Sequence, residues 1–229
     1  MGAHARESAV HASGLGRRFG RYWALAHVDL EVPYGTSVWL RGSNGAGKTT
    51  LLRLVASLST PSCGELAVGG HDVYRQRAAI RRSVSLVSHA LYLYAGLTAR
   101  ETLAMWAQLG GTAAAARDVE RRLDEVGLAA AADRRVGEFS AGMRKRLALA
   151  RALLEAPRIL LLDEPFSSLD RAGCELVEAW VRRFAETGGT VLMASHDHER
   201  SRALCERVID LEDGQIVGRE TLRATGDPS

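Results

Sequence analysis

The sequence predicts an α/β fold in which a mostly parallel core sheet, covered by helices on both faces, follows a set of antiparallel N-terminal strands and carries an inserted helical lobe. Three observations predict it. The runs "RILLLDEP" and "TVLMASHD" are apolar almost throughout, as strands buried on both faces are, and they alternate with segments of helical period. Residues 8–35 instead alternate polar and apolar in short runs broken by Gly14, Gly16, Gly20 and "VPYG", the pattern of antiparallel strands joined by turns. From Thr98 to about Gly137 the composition shifts to Ala, Arg, Glu and Leu with glycine breaks, which predicts a small helical lobe.

The remaining elements follow in order. "TSVWLRG" (36–42) reads as a buried strand entering a glycine-rich turn, and "KTTLLRLVASL" continues at helical spacing. "GELAVGGHDV" (64–73) reads as a hairpin returning to the antiparallel sheet. Beyond the lobe, "RKRLALARALLEA" predicts a helix, "RILLLDEP" a strand ending in acids, "CELVEAWVRRFAETGG" a helix closed by glycines and "TVLMASHD" another buried strand. "RVIDLEDGQIVG" closes the domain with an Asp-Gly hairpin. The expected organisation is a single domain over 1–229, with the antiparallel region and glycine-rich loop at 8–75, the helical lobe at 98–145 and the later strands at 146–229. The sequence has no internal repeat, and its one low-complexity stretch is the alanine run near 113–132.

At 229 residues, 46% hydrophobic and 25% charged, the chain can bury a sizeable core. No apolar window approaches the length of a membrane span, and "MGAHARESAV" lacks the apolar stretch of a signal peptide, so any membrane role is expected to come through a partner. Cys63, Cys174 and Cys205 lie far apart without C-x-x-C spacing, which argues against a disulfide framework or zinc site and predicts packing residues in a reducing cytosol. The net charge is +3, with arginines interspersed among acids rather than in blocks, which argues against a nucleic-acid partner. Lys48 and Lys145 are the only lysines in this arginine-rich chain.

"GSNGAGKT" (42–49) fits G-x-x-x-x-G-K-[ST] between a predicted strand and a predicted helix, the context that motif requires. Gly42, Ser43, Asn44, Gly45, Ala46 and Gly47 form a loop whose backbone amides can curl around an oxyanion. Lys48 adds a point charge at the β and γ phosphates, the Thr49 hydroxyl can ligate Mg²⁺, and Thr50 continues the binding segment. A triphosphate site also needs a carboxylate, and "ILLLDE" supplies Asp163 and Glu164 at the carboxyl end of a strand, where ligands meet open α/β sheets. Because extended side chains alternate, Asp163 is expected to face the metal while Glu164 orients or deprotonates an attacking water.

The middle of the chain narrows the class. "EFSAGMRKRLALARALL" resembles the signature of ABC-type ATPases, usually leucine, serine, glycine, glycine, glutamine; here it reads Phe139, Ser140, Ala141, Gly142 and Met143. On residue type alone, Ser140 caps a helix whose positive end and free amides can receive a γ-phosphate. Phe19 in "RRFGRYWAL" stands where that family stacks an aromatic on adenine, although by itself it reads equally as core packing. "SSLD" (167–170) resembles the family's D-loop, and His196 in "ASHD" resembles its switch histidine; His196 and His198 lack the third ligand of a metal site.

The resemblance runs from Phe19 to about Val217 and implies a P-loop NTPase fold of the ABC ATPase kind, with ATP and Mg²⁺. It implies a homodimer in which Lys48, Thr49, Asp163, Glu164 and His196 of one subunit meet Ser140 and Gly142 of the other across ATP. It implies multi-span membrane subunits as partners and a peripheral location on the cytoplasmic face of the cell membrane. Ala141 and Met143 depart from the usual glycine and glutamine, which implies weaker contact with the γ-phosphate and a slow or partner-dependent ATPase.

Two longer runs, "GSNGAGKTTLLRLVASLSTPSCGEL" and "LVSHALYLYAGLTARETL", are similar to those of the ATP-binding subunit of the heme exporter of cytochrome c maturation. Exporters of drugs or lipids share most of these residues, and a soluble ABC-type ATPase that remodels a cytosolic assembly is the reading from another class. His89, taken alone, is a hydrogen-bonded core residue, a metal ligand or a contact to phosphate. The resemblance puts it where most of the family has a glutamine that contacts Mg²⁺ or water. Nitrogen is a poorer ligand for this hard ion, so His89 is expected to act through water. The "LYLY" beyond it reads as a surface for a membrane subunit's coupling helix or as the lobe's own core.

Overall fold

Alternation of apolar and polar residues builds the first sheet of the computed structural model, which describes residues 8–88, 92–109 and 116–222; His89 lies outside them. β1 (Ser8–Phe19) and β2 (Tyr22–Pro33) pair antiparallel across a two-residue turn, with Gly20 at φ +59° and Phe19 opposite Tyr22. β3 (Ser37–Arg41) and α1 (Lys48–Val55) follow, and the chain returns through β4 (Cys63–Val68) and β5 (His71–Asp72) to complete a sheet of order β2-β1-β4-β5. This is the antiparallel sheet and returning hairpin that the sequence predicts.

A second, six-stranded sheet forms the centre. After α2 (Arg77–Ser83) come β6 (Val84–Val87) and the helices α3 (Ala99–Leu109), α4 (Ala116–Glu125) and α5 (Ala141–Leu154). β7 (Ile159–Asp163), α6 (Arg171–Glu186), β8 (Thr190–Ala194), α7 (His198–Leu204), β9 (Arg207–Glu212) and β10 (Gln215–Thr221) complete the fold. The strand order is β10-β9-β3-β8-β7-β6, parallel from β9 to β6, with β10 added antiparallel. Asp213 at φ +46° and Gly214 at φ +77° make the β9–β10 turn, two consecutive left-handed residues as a two-residue hairpin demands.

Side-chain parity divides this sheet between two cores. Val38 and Leu40 of β3, Ile159 and Leu161 of β7, and Leu192 and Ala194 of β8 join α1 and the antiparallel sheet on one face. Trp39, Leu160, Leu162, Val191 and Met193 join α5, α6 and α7 on the other. Each buried leucine contributes roughly 2 kcal/mol of transfer free energy, and a one-residue slip of any strand would exchange its two faces.

The lobe has its own core, where Leu103 of α3 and Leu123 of α4 meet Leu147, Ala150 and Leu154 of α5. The opposite stripe of α5, Ala148, Leu149, Ala152 and Leu153, belongs to the main core, so one helix is buried nearly all round and joins lobe to sheet. The expected division at 145/146 falls within this helix.

One packing expectation fails. Cys174 and Cys205 are buried, and burial pushes the Cys205 thiol up to about 12, but Cys63 is exposed. It opens β4 in a stretch, Cys63, Gly64 and Glu65, that runs beyond the covered part of the sheet. Among the described residues no helix is long and apolar enough to cross a membrane.

Candidate active site

The loop between β3 and α1 is shaped by what presses on it. Gly47 sits at φ +104°, and a Cβ there would lie 2.6 Å from the Ala24 carbonyl oxygen and 2.7 Å from Leu25 Cδ2. A Cβ on Gly42 would collide with the Leu211 carbonyl oxygen. Only glycine allows the loop to lie this close to β2 and β9. Gly47 then precedes α1 with no side-chain cap, so the first amides of the helix are left for an anion.

Lys48 is buried beneath the loop, and its ammonium donates to the carbonyl oxygens of Gly42 at 2.7 Å and Ser43 at 2.8 Å. Burial lowers its pKa, while the charges of Glu164 and Asp163 pull the other way. As the second residue of α1, Thr49 donates its hydroxyl to Asp163 Oδ1 at 3.1 Å. Parity at the end of β7 brings Asp163, 7% exposed, to the α1 side of the sheet. A hydroxyl and a carboxylate side by side are hard oxygen donors, and so few of them suit an Mg²⁺ that keeps waters and phosphate oxygens as its other ligands.

The alternation argument ends at Asp163. Glu164 adopts φ +52°, so it does not continue the strand, and both acids line the same cleft. The Glu164 N–H donates to the Ala194 carbonyl oxygen at 2.8 Å, tying the turn to β8. His196, two residues past β8, donates its backbone N–H to Glu164 Oε2 at 3.3 Å. Its Nε2 lies 3.5 Å from Glu164 Oε1 and 2.7 Å from Asn44 Oδ1, so with the proton on Nε2 it bridges the phosphate loop to the acid.

These residues enclose a cleft of about 340 Å³ at the carboxyl ends of β3, β7 and β8. Asn44, Gly45, Ala46, Gly47, Lys48, Thr49 and Thr50 line it with Asp163, Glu164 and His196; Gly42 and Ser43 stand behind and hold the lysine. Phe19 forms the far wall, 51% exposed, with the Arg17 guanidinium 4.6 Å from its ring centre. An exposed ring facing a phosphate loop is available for stacking, which core packing would not leave it.

Ser140 and Gly142 are not part of this cleft. Ser140 caps α5 by accepting from the Met143 N–H at 3.1 Å, and Gly142 packs on the 167–170 turn, where a Cβ would approach the Ser168 carbonyl oxygen to 3.1 Å. Two residues, one lining the cleft and one behind it, escape a motif-based reading. Tyr22 lines the same wall as Phe19, its hydroxyl 3.4 Å from the Gly45 carbonyl oxygen; the pairing of Phe19 with Tyr22 across a short turn was the available signal. Lys145, 5% exposed, donates to the Glu164 carbonyl oxygen at 2.6 Å, and its signal was being the second of two lysines.

Comparison with known proteins agrees with this geometry. The ABC transporter family matches residues 25–167. The ABC transporter ATP-binding protein NatA of Bacillus subtilis is 35% identical over 206 residues, covering 88% of this chain and 83% of that protein. The daunorubicin resistance ATP-binding protein DrrA3 of Streptomyces coeruleorubidus is 35% identical over 218 residues, covering 94% of this chain and 69% of its own length. The sulfate/thiosulfate import ATP-binding protein CysA of Brucella melitensis is 35% identical over 214 residues, and the chain spans only 59% of it. Among solved structures, the dimeric, post-hydrolysis form of the ATP-binding cassette MJ0796 bound to ADP and Pi superposes with a TM-score of 0.86 at 27% identity, covering 94% of this chain and 99% of that one. Sequence and fold therefore agree over nearly the whole length, and the chain belongs to the ABC transporter family as one of its ATP-hydrolysing domains.

Proposed function

We propose that the chain is the motor subunit of a membrane exporter, a homodimer at the cytoplasmic face of the cell membrane that closes on two ATP molecules and opens after hydrolysis. The observation that carries this reading is the division of the motifs. Lys48, Thr49, Asp163, Glu164 and His196 share one cleft, while Ser140 and Gly142 lie outside it at the capped end of α5. A second copy would supply them, and the dimeric state of the MJ0796 cassette supports that arrangement.

In this reading Phe19 stacks on adenine, the loop amides and Lys48 take the phosphates, and Thr49 and Asp163 hold Mg²⁺. The metal, when bound, supplies charge neutralisation at the β and γ phosphates. Glu164 accepts a proton from the water that attacks the γ-phosphorus, and the bond from phosphorus to the β-bridging oxygen breaks, leaving ADP and phosphate. His196 holds that carboxylate and stands between it and Asn44. A partner's Ser140 would meet the γ-phosphate only in the closed state, so hydrolysis removes the contact that favours closure. His89 belongs to the same switch through a bound water.

Membrane subunits fit a separate apolar cleft of about 270 Å³ lined by Ala56, Leu58, Leu86, Tyr92 and Trp106. Tyr92 and Tyr94 of the "LYLY" run are exposed, and among the described residues of that run only Leu93 packs on the lobe's core, which supports the coupling-surface reading for the tyrosines. For the cargo we propose heme, on the two sequence runs and the histidine at 89. Drug export is the second reading, favoured by the similarity to DrrA3 over 94% of this chain.

Glu164→Gln tests the motor. It is expected to bind ATP with unchanged affinity, lose at least a hundredfold in turnover and elute as a dimer with ATP on sizing chromatography; a protein that stays monomeric, or one that still turns over, overturns the reading. The same variant expressed in place of the native chain distinguishes the cargos, because c-type cytochromes lose their covalent heme only if heme is exported.

A further inference from the structure

Lys145 sits on the core-facing stripe of α5 with Ala148, Leu149 and Ala152, five residues after Ser140, which caps the helix by accepting from Met143. Its ammonium is nearly inaccessible, donating to the Glu164 carbonyl oxygen at 2.6 Å and to Ser167 Oγ at 3.1 Å. The Ser167 hydroxyl in turn donates to the same carbonyl at 2.9 Å. Glu164 is thus fastened on both sides of its peptide: its N–H to Ala194 of β8, its C=O to Lys145 and Ser167. The residue needs such fastening, because φ +52° is a conformation that a non-glycine residue keeps only where its surroundings over-determine it. Burying an ammonium to cap one carbonyl is an expensive way to stabilise a fold, since an apolar side chain would fill the space without desolvating a charge.

We propose that Lys145 is a positioning residue for hydrolysis. It holds the backbone of Glu164 in the turn that aims the carboxylate into the cleft, and it makes that aim depend on where α5 stands. The helix that presents Ser140 to one nucleotide is thereby wired to the carboxylate acting on the other. The proposal rests on Glu164 being the base, which is part of the reading above.

Lys145→Met keeps the length and removes the donors. In the full chain it should leave the ATP dissociation constant and KM within about twofold and lower kcat ten- to a hundredfold; Lys145→Arg, which restores a donor, should recover most of the rate. Thermal melting measured alongside gives the folded fraction. Wild-type kcat in Lys145→Met overturns the proposal. So does a loss of rate that tracks loss of folded protein, a rise in KM matching the fall in kcat, or no recovery in Lys145→Arg. Glu164→Gln serves as the reference: if it turns over normally, the base assignment fails; if it is inactive while Lys145→Met is not, only the Lys145 proposal fails.

Discussion

Lys48 is a side chain for which arginine, favoured at every other basic position but Lys145, would be no substitute. Its ammonium is a compact charge held between two loop carbonyls 2.7 and 2.8 Å away, where a planar guanidinium has no room to turn toward a phosphate. Since burial already disfavours the charge, the pocket gains by exchanging the carbonyls for a phosphate. Lys48→Ala should weaken ATP binding by at least about 3 kcal/mol, more than a hundredfold in Kd by calorimetry, as loss of a buried charged contact does. An unchanged Kd would remove the loop from the nucleotide site. At this scale motifs made much of the cleft legible, because glycine, lysine and threonine at fixed spacing have one use in common. What spacing could not give was the turn at Glu164, since a left-handed residue at the end of a strand depends on contacts with β8 and α5 that lie 30 and 19 residues away.

At the scale of elements, unbroken apolar runs gave the parallel strands, and Asp213-Gly214 gave the last hairpin, because burial and turn chemistry are local in sequence. Strand order was not legible. That β3 lies between β8 and β9 depends on which faces α1 and α6 cover, and pairwise contacts then lock it. One of these is the forked ion pair from Arg41 on β3 to Asp210 on β9, at 2.5 and 2.8 Å. The Arg41 hydrogen bond holds the Asp210 carboxyl below its ordinary pKa, against the smaller opposing effect of burial. A carboxyl lowered in the folded state stabilises above its unfolded pKa and loses that contribution as pH falls through the folded value. Asp210→Asn should therefore lower unfolding free energy at pH 7 by up to about 1 kcal/mol in urea titrations, a small figure because both side chains are partly solvated. The difference from the native chain should shrink below about pH 4. A gap that is constant with pH would show that packing of β9, rather than this charge pair, is what the substitution disturbs.

For the whole molecule, the arrangement of the two clefts decides how chemistry could reach a membrane. The nucleotide cleft opens at the carboxyl ends of the central strands, while the apolar cleft lies between α1, β6, α3 and α5, where lobe and sheet meet. α5 touches both regions, through Lys145 at the first and Arg151 at the second, where Arg151 donates to the Leu86 carbonyl oxygen and lies 4.7 Å from the Trp106 ring centre. A helix of a membrane subunit seated in the apolar cleft would bury Leu58 and Tyr92, which are 50% and 52% exposed in this chain. Leu58→Arg places a third guanidinium beside Arg81 and Arg151 in that cleft and should cost the isolated fold no more than about 0.5 kcal/mol, since position 58 is solvated. ATP affinity should be unchanged, because the substitution touches nothing in the nucleotide cleft, whereas recovery of the protein with the membrane fraction should fall severalfold. If Leu58→Arg co-sediments with membranes as the native chain does, the coupling surface lies elsewhere on the lobe, with the exposed Tyr94 as the next position to substitute.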